Sequence, residues 1–108
     1  MKPLQPEWKT KRCVVTEAHE RDLPTLAAIF ADNANAVRSQ GPDCTPERLA
    51  SVLLRHEALP PNGDPSREYT FLIAEGESRE VIGLLSVYCG YPKSKTLYIG
   101  SLFFRRKW

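Results

Sequence analysis

Five side chains in this sequence belong to the types that acid–base or nucleophilic chemistry uses. Tyr98 could carry a proton, and Glu68 could act as a base at the start of an apolar strand. His19 and His56 are far apart and have no evident nucleophile or carboxylate partner. Cys89 lies in an apolar strand with no adjacent charge that would activate its thiol. The catalytic residue therefore stays unassigned, with Tyr98 as the candidate, and we expect structural roles for the histidines and the cysteine.

The cysteine pattern argues against metal binding and disulfides. Cys13, Cys44 and Cys89 are odd in number, widely spaced and in no Cys-x-x-Cys or Cys/His cluster. No site residue is expected to bind a metal. The first residues lack the apolar stretch of a signal peptide, and no apolar run reaches the ~18 residues of a membrane span. Together with free thiols, these features predict a cytoplasmic protein.

Composition and charge are those of an ordinary globular domain. The 108 residues are 42% hydrophobic and 26% charged, and 15 basic against 13 acidic residues give a net charge of +2. This length suits one domain or part of one. A charge so near balance provides little attraction for nucleic acid or an anionic membrane, and the basic run Arg105–Lys107 is short. We expect neither nucleic acid nor membrane as a partner.

The first third of the chain predicts an arm, a strand and a helix. Two prolines and several charges make residues 1–11 a flexible N-terminal arm, and the β-branched run Cys13–Thr16 predicts a strand. Asp22 can cap the free N–H groups of a helix whose apolar face runs through residues 23–37 at spacings of three and four.

A second helix is marked by its start and stop signals. Thr45 suits the N-cap, Pro46 fits the first helical position, and Glu47 complements the positive end of the helix dipole. The loop over residues 60–65, PPNGDP, ends this helix and returns the chain to the sheet.

The segment from Glu68 to Phe104 predicts three strands in an antiparallel meander, with Gly76 as the positive-φ residue of the first hairpin. Apolar groups on both strand faces indicate that helices cover both sides. The last strand, residues 96–104, is so apolar that we expect a central position with neighbours on both edges. The order β-α-α-β-β-β predicts an α+β or α/β class, with a mainly antiparallel sheet, helices packed on its faces, and truncation after the last strand.

This order and its turns resemble the GNAT superfamily of acyl-CoA-dependent N-acetyltransferases, over residues 13–108. Three motifs carry the resemblance: a strand-to-helix connection similar to R-x-A-x-x-x-D-L-P, a strand pair with a V-I-G start, and the fourth strand of that family. They are, in order, TEAHERDLP at 16–24, FLIAE at 71–75 with VIGLL at 81–85, and LYIGSLFF at 97–104.

The resemblance implies that residues 12–108 form the N-terminal portion of an acetyltransferase domain. It implies acetyl-CoA as donor and a primary amine on a small molecule or peptide as acceptor. In the family, a bulge in the fourth strand turns a backbone N–H toward the acyl carbonyl, and Gly100 suits that bulge. Leu102, Phe103 and Phe104 match the positions whose backbone lies along the pantetheine arm. These four residues are the cofactor-binding candidates.

Two departures from the family pattern affect activity. Thr16 replaces the arginine of the first motif. The family's (Q/R)-x-x-G-x-(G/A) loop, which holds the cofactor pyrophosphate, does not follow Phe104; RRKW does. We expect this chain to be inactive or impaired as an acetyltransferase and to bind acetyl-CoA weakly or not at all.

A non-enzymatic interaction module is the alternative. A truncated product would leave the last strand as an open apolar edge, which is a template for pairing. This hypothesis predicts a homo-oligomer or a complementing chain. The acceptor, the general base and the origin of the truncation stay open.

Overall fold

The computed structural model describes Leu4 and residues 6–106. In this part of the chain, five strands and three helices alternate with short 3₁₀ turns at Glu20–Asp22 and Pro65–Arg67. The elements are β1 Glu7–Lys9, β2 Cys13–Glu17, α1 Leu23–Ala31, α2 Ala34–Ser39, α3 Pro46–Leu54, β3 Glu68–Glu75, β4 Val81–Cys89 and β5 Leu97–Phe104.

The strands form one antiparallel sheet whose spatial order follows the chain order, from β1 to β5. The predicted meander of β3, β4 and β5 is confirmed, and the class is α+β. Within the predicted N-terminal arm, Glu7–Lys9 pairs with β2 in the register Trp8↔Val15, and the flexibility of the arm stays a prediction. Residues 1–3 and 5 of that arm lie outside the described residues. Assignment of residues 12–108 to one domain stays a prediction.

All three helices pack on one face of the sheet. Their buried side chains, including Leu26, Ile29 and Leu53, form a single cluster with Leu72 of β3 and Leu84 of β4. The expectation that helices cover both faces is wrong for the described residues. Apolar residues on a strand face indicate that this face is shielded from water. They do not indicate whether a helix or the side chains of neighbouring strands shield it.

The other face is covered by neighbouring strand side chains. Phe71 is fully buried there, and it packs edge-to-face on Trp8 of β1 with ring centroids 6.1 Å apart. Tyr69 stacks on the Phe71 ring, with ring centroids 6.0 Å apart. Val15 and Val87 complete a second buried cluster on this face. The short strand β1 therefore covers part of the face that was expected to carry a helix.

The predicted first helix breaks after Ala31. Asn33 leaves helical geometry, with φ −119° and ψ 54°, and a separate helix, α2, follows. The Asn33 Nδ2 donates to the carbonyl of Ile29 at 2.8 Å and to the carbonyl of Phe104 at 3.0 Å. The break thus connects the helix layer to the end of β5.

The helix N-termini follow their signals to different degrees. Thr45 caps α3 as predicted, since its Oγ1 accepts from the N–H of Arg48 at 3.1 Å. Asp22 precedes α1, but its Oδ2 accepts from the N–H of His19 at 2.8 Å and makes no capping bond to α1.

The β3–β4 hairpin corrects the prediction for Gly76. The positive-φ residue is Arg79, with φ 63°. Gly76 instead approaches the neighbouring backbone, because its N–H donates to the Arg12 carbonyl at 2.8 Å and an added Cβ would lie 3.2 Å from that oxygen.

Strand β5 lies at the edge of the described sheet and pairs there only with β4, so its central position in a larger sheet stays a prediction. The register places four of its side chains on the face without helices. They are largely exposed: Leu97 47%, Ile99 57%, Leu102 50% and Phe104 39%.

Candidate functional site

A cavity of about 470 Å³ lies between the helix layer and the end of the sheet formed by β4 and β5. The helix side contributes α3 and the loop after it, through Leu49, Val52 and Leu59. The sheet side contributes Glu68 from β3, with Ser86 and Tyr88 of β4, and Tyr98, Gly100, Ser101 and Phe103 of β5.

Strand register explains why these polar side chains meet. Glu68 is paired with Tyr88, and Tyr88 is paired with Tyr98, so the three form one row across the sheet. Side chains directly opposite on neighbouring strands share a face. Ser86 and Ser101 belong to the adjacent row on the same, helix-covered face.

The bulge predicted at Gly100 is present. Ser86 is paired with Ser101 and Val87 with Ile99, which leaves Gly100 as the extra residue in β5. An added Cβ at this position would lie 3.1 Å from the Ser86 Oγ. Glycine therefore avoids a close contact with Ser86 at the point where the bulge lines the cavity.

Glu68 and His56 form a pair that sequence reasoning missed. The His56 Nδ1 lies 2.7 Å from the Glu68 Oε1, and the Glu68 side chain is only 8% exposed. His56 reaches this position because it follows α3 in the left-handed region, with φ 58°. Glu68 therefore starts β3 with its carboxylate largely shielded from solvent.

Three tyrosines line the same cavity. The Tyr88 hydroxyl accepts from the backbone N–H of Asp64 at 2.8 Å, which fixes that ring under the loop. Tyr91 and Tyr98 meet edge-to-face with centroids 5.2 Å apart. Tyr98 lies in the cavity as the sequence suggested, whereas Tyr88 and Tyr91 were not singled out.

The end of β5 is attached to the break between α1 and α2. The Asp32 Oδ2 accepts from the N–H of Arg106 at 3.0 Å and from the Arg105 Nε at 3.1 Å. These two donors, the backbone N–H first, hold the pKa of Asp32 below its usual value of 3.8. Arg105 of the predicted basic run is thus an attachment point for the strand.

The four cofactor candidates divide between the two faces of the sheet. Gly100 and Phe103 line the cavity, and Phe103 packs on Phe30 with centroids 5.5 Å apart. The side chains of Leu102 and Phe104 lie on the opposite, exposed face, so they are not core residues. A role for those two residues through their backbone is compatible with this placement.

The remaining predictions concern the cysteines, metal binding and membrane crossing. Cys89 is buried as a small apolar side chain, and all three cysteines are free. Among Leu4 and residues 6–106, no group of three His, Cys, Asp or Glu side chains is arranged to hold a metal ion. In the same residues, no helix combines the length and apolar character that crossing a bilayer requires.

A single signal in the sequence could have indicated the Glu68 site. Glu68 is in phase with Thr70 and Leu72, which face the helices, so an inward carboxylate follows from alternation once the helix face is known. Its pairing with His56 depends on where α3 ends.

No family model, curated protein or solved structure matches the chain.

Proposed function

We propose that these residues belong to an acetyl-CoA-dependent N-acetyltransferase domain and form its acceptor cavity and the strand that holds the acyl group. The observation that carries this proposal is the bulge at Gly100, which opens onto a cavity containing the buried carboxylate of Glu68. The order of the elements supports it too, because β2 precedes the helices and the antiparallel strands β3, β4 and β5 follow them.

The reaction is acyl transfer between a thioester and an amine. The neutral amine nitrogen attacks the thioester carbonyl carbon, a C–N bond forms, and the C–S bond breaks with the electron pair on sulfur. The amine loses one proton and the thiolate gains one, so the products are an amide and a free thiol. Positioned donors lower the barrier by meeting the developing oxyanion, and a backbone N–H at the Gly100 bulge is suited to that role.

The outer edge of β5 supports the proposed backbone role of Leu102 and, through its N–H, of Phe104, whose carbonyl already accepts from Asn33. The Phe103 backbone does not reach this edge, because the Arg105 N–H donates to the Ile82 carbonyl at 2.7 Å and alternation then turns Phe103 toward β4 as well. In the described sheet β5 has a strand neighbour only on the β4 side, so its other edge presents backbone donors and acceptors. A pantetheine arm carries two amide groups and can pair with such an edge as an extended peptide does. This geometry uses the backbone whichever face the side chains occupy.

The 108-residue chain has few groups that could bind the cofactor phosphates. It contains no (Q/R)-x-x-G-x-(G/A) loop, and Arg105 is already paired with Asp32. We therefore expect impaired activity, and weak binding of acetyl-CoA or none. Low-micromolar affinity by titration calorimetry would contradict this expectation. Three free cysteines support a cytoplasmic location as part of the proposal.

Thiol release tests the proposal. The chain is mixed with an excess of a primary amine and with either acetyl-CoA or S-acetylpantetheine, which lacks the nucleotide phosphates. We expect slow release above the uncatalysed reaction, saturating in the thioester and similar for the two donors. Release equal to the uncatalysed rate for both donors, at all thioester concentrations, would overturn it.

The second candidate is an interaction module that forms a homodimer through β5. Antiparallel pairing of β5 with a second copy, centred between Gly100 and Ser101, sets apolar residues opposite each other on the exposed face. Leu97 would face Phe104, and Ile99 would face Leu102. Such self-complementarity is what a two-fold interface requires. The strand also carries none of the charges or prolines that normally protect an edge.

A further inference from the structure

Glu68 is the only charged side chain among the described residues that line the cavity. No lysine, arginine or histidine is among the described residues that line the cavity. His56 contacts Glu68 but is not itself a lining residue. The Glu68 side chain is 8% exposed, so the field of its carboxylate is only partly screened by water. The cavity is therefore an acidic site whose other lining residues are uncharged.

The Glu68 carboxylate keeps one oxygen for a ligand. His56 takes Oε1 at 2.7 Å, and Oε2 has no hydrogen-bond partner within the described part of the chain. A carboxylate accepts through two oxygens, with about four lone-pair sites in all. One acceptor position is thus available beside the one that His56 occupies.

Three tyrosines line the same cavity as this acceptor. Tyr88, Tyr91 and Tyr98 all line the cavity, and Tyr91 with Tyr98 forms an edge-to-face pair. A cation within about 6 Å of a tyrosine ring is attracted by the negative face of the ring. Rings together with a single carboxylate favour an organic cation over an anion.

The wall formed by α3 and the loop after it is mainly apolar. Leu49, Val52, Leu59, Pro60 and Pro61 face the row of polar residues from α3 and its loop. The volume of about 470 Å³ lies within the range of small-molecule sites, about 300–1,000 Å³. A ligand that fills it would present its charge to Glu68 and an apolar body to these side chains.

We propose that the cavity binds a primary ammonium group carried on an apolar body, with the Glu68 carboxylate as its counter-ion and the tyrosine rings as its walls. This deepens the proposed function and rests on it only for the ligand's role, because the bound amine would be the acetyl acceptor. Binding itself needs no thioester.

Titration calorimetry without any acetyl donor tests the inference. Phenethylammonium, phenethyl alcohol and phenylacetate share an apolar body and differ in the charge of the head group. We expect phenethylammonium to bind about tenfold or more tightly than the alcohol, since a charge-assisted bond replaces a neutral one. Phenylacetate should not bind. Equal affinities for the amine and the alcohol, or tighter binding of phenylacetate, would overturn the inference.

Matched variants assign the effect to Glu68. Glu68→Gln keeps an oxygen that can accept from His56 and removes the charge, so we expect about a tenfold loss of amine affinity. Glu77→Gln makes the same change in the exposed β3–β4 hairpin and should leave affinity unchanged. A Glu68→Gln protein with wild-type circular dichroism and wild-type amine affinity would contradict the counter-ion role.

Variants at Tyr98 separate ring from hydroxyl. Tyr98→Phe keeps the aromatic face and should retain affinity, whereas Tyr98→Leu should weaken amine binding about threefold without weakening alcohol binding. Equal loss for both ligands would exclude a cation–ring contact there.

Amine binding without thiol release from either donor would overturn the acetyltransferase proposal alone, whereas thiol release without selectivity for amines would overturn this inference alone.

Discussion

His56 connects backbone geometry to the chemistry of the cavity. Its φ of 58° is uncommon for a residue other than glycine, and it places the imidazole 2.7 Å from the Glu68 carboxylate. The buried carboxylate would be left with an unmade hydrogen bond if this ring were removed. The pair is therefore important for stability as well as for the orientation of Glu68.

Replacing His56 by asparagine tests this role. Asparagine tolerates the left-handed region, so the change removes the imidazole without adding backbone strain. We expect His56→Asn to lower the free energy of unfolding by about 1–3 kcal/mol, measured by urea denaturation. His19→Asn, at an exposed position, serves as the control with little expected effect. A His56→Asn protein as stable as the control would contradict the argument.

Asp32 makes a contribution to stability that depends on pH. Because its pKa is lowered in the folded state, the stabilisation is present above the usual value of 3.8 and is lost as pH falls through the folded value. Asp64 acts in the same window, since the backbone N–H and then the hydroxyl of Ser66 lower its pKa too. We expect stability to fall below about pH 4.

The variant Asp32→Asn isolates the first contribution. Urea unfolding at pH 3 and pH 7, for this variant and the wild type, should show a smaller acid-induced loss in the variant. The Asp64 contribution remains in both proteins. An identical loss in the two proteins would show that the Arg106 and Arg105 contacts do not favour the ionised Asp32 carboxylate in solution.

At the scale of elements, the bulge in β5 makes Gly100 sensitive to added volume. An alanine Cβ there would lie 3.1 Å from the Ser86 Oγ, closer than ordinary contact. We expect Gly100→Ala to destabilise the protein by about 1 kcal/mol and Ser86→Ala to reduce that penalty in the double variant. Thermal unfolding of the four proteins measures the coupling. Additive effects of the two changes would contradict a direct contact.

Features set by neighbouring residues were predictable from the sequence, and features set by distant contacts were not. The Thr45 cap and the Gly100 bulge depend on local residue types, and both predictions are confirmed. The helix break at Asn33 depends on the Phe104 carbonyl, 71 positions away, which no local pattern reveals. The His56–Glu68 pair likewise depends on the path of the loop between α3 and β3.

At the scale of the whole molecule, the exposed side of β5 decides between the two candidate functions. A homodimer through β5 would set Lys95 opposite Arg106 at each end of the new pair, where like charges repel. We therefore expect any dimer to strengthen as salt rises, because salt screens exposed charges. Sedimentation equilibrium at low and high salt measures this.

The variant Ile99→Lys places a charge on the exposed face of β5 and should weaken the dimer without unfolding the chain, since Ile99 is 57% exposed. Ala31→Lys adds the same charge at an exposed position on α1 and should leave association unchanged. A wild-type chain that stays monomeric at high concentration and high salt would exclude a homodimer through β5.

The central claim is that the Gly100 bulge and its cavity hold an acetyl thioester. The most direct measurement is an NMR titration of the ¹⁵N-labelled chain with S-acetylpantetheine, which needs no phosphate contacts. We predict saturable shifts of the Gly100 and Leu102 amides, with little change at Gly76 in the β3–β4 hairpin, which does not line the cavity. A Gly100 amide that does not move up to the solubility limit of the thioester, in a well-dispersed spectrum, would contradict the account.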